Sequence, residues 1–88
     1  MQKNLLMQYY ENNCLTYRDF ADLVNDVLIR EQSKDRVSHE SMEDYCKGQK
    51  KCKRQAVARA MAIVIGVELK DLMQSLLEST NNKIRRVG

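Results

Sequence analysis

The chain has 88 residues, 43% of them hydrophobic, with three glycines, one phenylalanine and no proline. So short a chain makes one domain that buries only about 60 to 65% of the surface it exposes when unfolded, which leaves no room for a large catalytic pocket, and no enzyme is expected. The net charge of +3 hides a division, because residues 1–46 carry five Lys/Arg against nine Asp/Glu and residues 47–88 carry ten against three.

The predicted elements are all helical, since the prolines and paired glycines that punctuate strand-rich folds are missing. Leu5, Leu6, Tyr9 and Tyr10 share one helical stripe, and Asn12-Asn13 invites a stop. Thr16 is the N-cap of a second helix from Tyr17 to about Glu31, with Asp19 near the positive end of its dipole. Phe20, Ala21, Leu23, Val24, Val27 and Leu28 form its apolar face. Ser33-Lys34-Asp35-Arg36 has no apolar residue and reads as a loop. Ser38 caps a third helix over about His39–Lys47, with Met42 and Tyr45 inward and His39, Glu40, Glu43 and Asp44 outward. Gly48 supplies a left-handed stop.

A basic loop follows at once, with Lys47, Lys50, Lys51, Lys53 and Arg54 inside eight residues. Such a density suits a polyanion such as nucleic acid, and it equally suits a solvated basic surface. From Gln55 to Ile65 the pattern is apolar nearly all round, so the fourth helix is expected to be the most buried. Gly66 ends it. Leu69, Leu72, Met73, Leu76 and Leu77 mark a fifth helix ending near Ser79–Asn82, and residues 83–88 form a basic, disordered tail.

Cys14, Cys46 and Cys52 are an odd set without CxxC spacing, as expected of reduced thiols in a cytoplasmic protein. No apolar run reaches membrane-spanning length and no basic-then-apolar leader follows Met1, so neither a membrane span nor a secretory signal is expected. His39, Cys46 and Cys52 match no zinc spacing and lack a fourth ligand, so no metal or other cofactor is expected. Cys52, set among lysines, is a candidate for a lowered thiol pKa and redox sensing, with an inert thiol as the default reading.

Three segments, L15-T-Y-R-D-F-A-D-L-V24, V37-S-H-E-S-M-E-D-Y-C-K-G48 and A60-M-A-I-V-I-G-V-E-L-K-D-L72, together resemble the phage Cro/repressor-type, XRE-like helix-turn-helix family. The matching features are Leu15-Thr16 before helix two, Phe20-Ala21 inside it, Val37-Ser38 opening helix three, Gly48 closing it, and Gly66-Val67 with Leu69 and Leu72 entering helix five. The resemblance implies a compact five-helix lambda-repressor-like domain over residues 1–82, acting as a sequence-specific, repressor-like transcriptional regulator of phage or mobile-element type that occupies an operator on double-stranded DNA. It places Ser38, His39, Glu40, Ser41 and Asp44 toward bases, and Tyr17, Lys47, Lys50, Lys51, Lys53 and Arg54 toward phosphates. Four or five such cations give a slope of log K against log salt of roughly −4. One reading helix makes few contacts, so a homodimer is expected, with Leu76, Leu77 and the tail at its interface.

The chain departs from the family pattern in two ways. Asp26–Arg36 adds eleven residues between Asn25, at the family's turn-glycine position, and Val37; it reads as an extension of helix two followed by a longer loop that can tilt or free helix three. The outward face of helix three is also acidic, although carboxylates can accept from cytosine N4. The alternative reading is a protein-interaction modulator or antirepressor on the same scaffold, meeting another regulatory protein through acidic helix three and the Asp26–Arg36 segment.

Overall fold

Asn4, Thr16 and Ser38 each stand in extended backbone just before a helix and satisfy a first-turn N–H that has no partner within the helix. Asn4 accepts from Met7 N–H at 2.8 Å, Thr16 from Asp19 N–H at 3.0 Å and Ser38 from Ser41 N–H at 3.1 Å. A computed structural model describes the backbone of residues 3–85 and the side chains of residues 3–77. Its helices are α1 (Leu5–Asn12), α2 (Tyr17–Arg30), α3 (His39–Lys47), α4 (Gln55–Ile65) and α5 (Leu69–Arg85). Among the described residues there is no strand, and no helix is long and apolar enough to cross a membrane. The fold is all-α.

Gly48 and Gly66 end α3 and α4 with φ of 72° and 77°, the left-handed conformation that a glycine adopts without a Cβ penalty. The chain turns after α1 and α2 without that help. Cys14 and Gln32 take φ of 51° and 60°. α5 runs to Arg85, past the predicted stop at Ser79–Asn82. Serine, threonine and asparagine each cost only about half a kcal/mol inside a helix, and no glycine intervenes before Gly88. The expected tail therefore begins within the helix, and residues 86–88 of it lie outside the described residues.

α2 packs on α3 and α4, α4 packs on α5, and α1 touches α3, α4 and α5. Phe20, Val24 and Leu28 of α2, Met42 and Tyr45 of α3, Val57 and Met61 of α4, Leu6 and Leu72 meet in one core. Each large aliphatic or aromatic side chain buried there contributes about 1.5 to 3 kcal/mol. Three of the four alanines of α4, Ala58, Ala60 and Ala62, are buried and leave little side chain between α4 and its neighbours. As the pattern predicts, α4 has the largest buried share of any helix among the described residues, with Val57, Ala58, Ala60, Met61 and Ala62 enclosed, although one face stays open. Ile63 is 51% exposed and shares an outer face with exposed Arg59, four residues earlier, since that stripe points away from α2 and α5. The radius of gyration, 12.5 Å, is close to the roughly 12 Å of a folded domain this size.

The Asp26–Arg36 segment is the predicted helix extension plus loop. Val27 and Leu28 continue the core stripe to Arg30. Helix three, however, is not freed. Asn25 Nδ2 donates to Val37 C=O at 2.9 Å and Asn25 Oδ1 accepts from Val37 N–H at 2.8 Å, so one side chain holds both polar groups of the residue that leads into α3. Val37, Met42, Tyr45 and Cys46 then anchor α3 on the core. From the other side, Asn4 Nδ2 donates to Tyr45 C=O at 2.9 Å.

Candidate nucleic-acid interface

The outer face of α3 follows from which of its residues the core takes. With Met42, Tyr45 and Cys46 inward, His39 and Glu40 are exposed, and Ser41, Glu43 and Asp44 are half-buried along the edges. Ser38 and Ser41 are already engaged with one another, through the capping bond and an Oγ–Oγ contact of 3.2 Å. His39, Glu40 and Asp44 have side chains without hydrogen-bond or ion-pair partners among the described residues.

Gly48 reverses the chain, and the basic loop comes back against α3. Lys50 Nζ donates to Ser41 Oγ at 3.2 Å and lies 5.5 Å from the centre of the Tyr45 ring, a cation over an aromatic face. Tyr45, Lys50, Lys51, Lys53 and Arg54 line one shallow groove beside the helix. Four of the cations predicted to meet phosphate are thus gathered on one surface, next to the serines predicted to face bases.

They are not equally available. Lys47 is paired with Glu43 one turn back, which raises its pKa through the hydrogen bond and then the charge of Glu43. Arg54 Nη1 lies 3.4 Å from Asp35 Oδ1, and Arg59 lies 4.0 Å from Glu31. The 26–36 segment therefore sets carboxylates against Arg54 and Arg59. Lys51 and Lys53 are exposed and make no hydrogen bond or ion pair among the described residues. Tyr17 is separate from the groove. Its ring stacks on Tyr10 with centres 4.3 Å apart and planes 5° from parallel. Burial, then the Tyr10 hydroxyl, push its pKa up to about 12, and nearby Glu43 adds to the rise. It shares that edge of α3 with Lys47.

No known protein family, curated protein or solved structure matches this chain.

Cys52 follows its default reading as an inert thiol rather than the redox-sensing alternative. Cys52 sits between Tyr45 and the Arg54 carbonyl, to which its thiol donates at 3.5 Å. Burial raises its pKa and outweighs the lowering by Arg54 and Lys50, so the lysine-rich setting does not make an activated thiolate. Cys46 is buried on α3, and desolvation pushes its thiol up to about 12. No group of three His, Cys, Asp or Glu side chains gathers as metal ligands would among the described residues.

Two kinds of residue escaped the sequence reading. Asn25 and Asn4 hold α3 through backbone atoms 12 and 41 residues away, and no local pattern announces such partners. Asp35 and Glu43 oppose two of the expected phosphate contacts. The i,i+4 spacing of Glu43 and Lys47 was a readable signal; the Asp35–Arg54 separation of 19 residues was not.

Proposed function

We propose that this protein is a small sequence-specific DNA-binding regulator of the Cro/repressor type, cytoplasmic, that acts as a homodimer by occupying an operator. The observation that carries the reading is Lys50. Its contacts with Ser41 and Tyr45 put the basic loop and the outer face of α3 on one surface, as a reader that grips phosphates beside the bases it contacts requires. Ser38, His39, Glu40, Ser41 and Asp44 take the base-reading role. Lys50, Lys51 and Lys53 are the principal phosphate contacts, and Tyr17, Lys47 and Arg54 serve on release from their present partners.

That division lowers the salt dependence. Three available lysines give a slope of about −3 rather than −4, at about 0.9 per phosphate. Fluorescence anisotropy on DNA from the gene's own neighbourhood, titrated in salt, tests it. Lys51→Ala with Lys53→Ala is expected to weaken binding to all sequences alike and flatten the slope by about two units. Binding unchanged by the pair would remove the groove from the interface.

The carboxylates of Glu43 and Asp35 favour a second reading, in which the acidic face of α3 and the 26–36 segment dock on another regulator as a modulator or antirepressor. Tight binding to such a protein, without preference among DNA sequences, would select it.

A further inference from the structure

We infer that a second copy of this chain docks the acidic ridge of its α2 into an apolar groove rimmed by Lys51 and Lys53. Because it covers Lys51 and Lys53, this self-association competes with phosphate for the same two cations, and it is measurable without DNA.

The groove lies between the basic loop and α5. It joins two adjacent hollows that share Cys52 and Met73, one lined also by Lys51 and Leu77 and the other by Lys53 and Leu69. Met73 and Leu77 are 40% and 48% exposed, large apolar side chains on a helix whose other face is already in the core through Leu72. Neither lysine at the rim has a hydrogen-bond or ion-pair partner among the described residues, whereas Lys50 is held by Ser41 and Tyr45 and Arg54 by Asp35. An occupant must therefore offer an apolar side chain flanked by negative charge.

This chain carries that surface. Asp19, Asp22, Leu23 and Asp26 stand at i, i+3, i+4 and i+7 of α2 and form one exposed stripe. Leu23 is 38% exposed although the apolar pattern of α2 predicts it inward, and none of the three aspartates has a side-chain partner among the described residues. Leu23 between Met73 and Leu77, with Asp22 and Asp26 over Lys51 and Lys53, covers apolar surface and pairs like numbers of opposite charges. A contact between two different patches closes as a two-fold pair in which it is made twice, or repeats head to tail. The interface is small, so the association belongs to the weak, transient class.

Charge reversal tests it. In sedimentation velocity at low salt, the wild type is expected to gain weight-average mass above 10.3 kDa as its concentration rises to about 1 mM, and to lose that gain when salt is added. Lys51→Glu with Lys53→Glu makes a groove that repels the aspartates. Asp22→Lys with Asp26→Lys makes a ridge that repels the lysines. Each variant alone is expected to remain monomeric with unchanged helical circular dichroism, whereas the 1:1 mixture restores association because each opposed pair is again complementary. A wild type that stays monomeric throughout, a self-association that neither variant disturbs, or a mixture of folded variants that fails to associate would overturn the inference. DNA binding by a wild type that stays monomeric would leave the nucleic-acid reading standing alone.

Discussion

Asn25 uses its amide in both directions on one residue, accepting from Val37 N–H and donating to Val37 C=O. Val37 is 6% exposed, so few solvent molecules stand ready to replace those bonds. Asn25→Ala leaves two sheltered backbone groups without partners and is expected to lower stability by about 2 kcal/mol, read as a lower urea midpoint. Asn25→Asp retains the acceptor for Val37 N–H and should lose less; equal losses in both variants would assign the role to the donor alone. Cys46 makes a second prediction at this scale. Burial raises its folded pKa from the ordinary 9.0 to about 12, so the native state holds a proton that the unfolded chain releases earlier. Its stabilising contribution is fully present below pH 9 and is lost as pH rises toward 12, because the unfolded state then binds fewer protons than the native state. Tyr17, raised from 10.0 to about 12, acts in the same direction. The urea midpoint is thus expected to fall as pH rises from about 9 toward about 12. Cys46→Val should make that fall shallower, and an unaltered fall would show that Cys46 does not drive it.

At the level of helices, the ends of α2 and α3 illustrate two ways of stopping. α3 stops at Gly48, where φ of 72° carries no Cβ penalty. α2 stops through Gln32 at φ of 60°, with Ser33 N–H closing on Leu28 C=O at 2.9 Å. A side chain in that conformation costs about 1 to 2 kcal/mol, only partly offset by the lower backbone entropy of the unfolded state. Gln32 is exposed and has no side-chain partner among the described residues, so Gln32→Gly is expected to raise stability by about 1 kcal/mol, or roughly 4 to 8 °C in Tm. A lower Tm would mean that chain entropy outweighs the strain. The contrast explains what could be read without a structure. α3 and α4 match their sequence-based bounds because Ser38, Gly48 and Gly66 act within one turn of themselves. α5 overran its predicted end because serine, threonine and asparagine only weaken a helix. The docking of α3 was hidden, since Asn25 and Asn4 work across distances that periodicity does not register. So was the pairing of Arg54, whose carboxylate arrives on the 26–36 segment.

Across the molecule, the division between an acidic first half and a basic second half is partly folded back on itself. Asp35 faces Arg54, Glu31 faces Arg59 and Glu43 faces Lys47, so carboxylates from the first half lie against cations of the second. These pairs are solvent-exposed and screened, and they contribute little to stability. Their larger consequence is for a polyanion, which must compete with Asp35 for Arg54 before that cation can release a counterion from DNA. Asp35→Asn removes the competing charge and keeps a hydrogen-bonding group of the same size. In the DNA-binding reading it is expected to tighten non-specific binding and to steepen the slope of log K against log salt by about 0.9, one added phosphate contact. Stability should change little, because Asp35 N–H keeps its bond to Ser33 Oγ. Arg54→Ala combined with Asp35→Asn should return the slope to the wild-type value. A steeper slope that survives the loss of Arg54 would mean that Asp35 acts through the general field of the surface, whereas an unchanged slope in Asp35→Asn would set Arg54 outside the contact with DNA and leave the three lysines to hold the backbone.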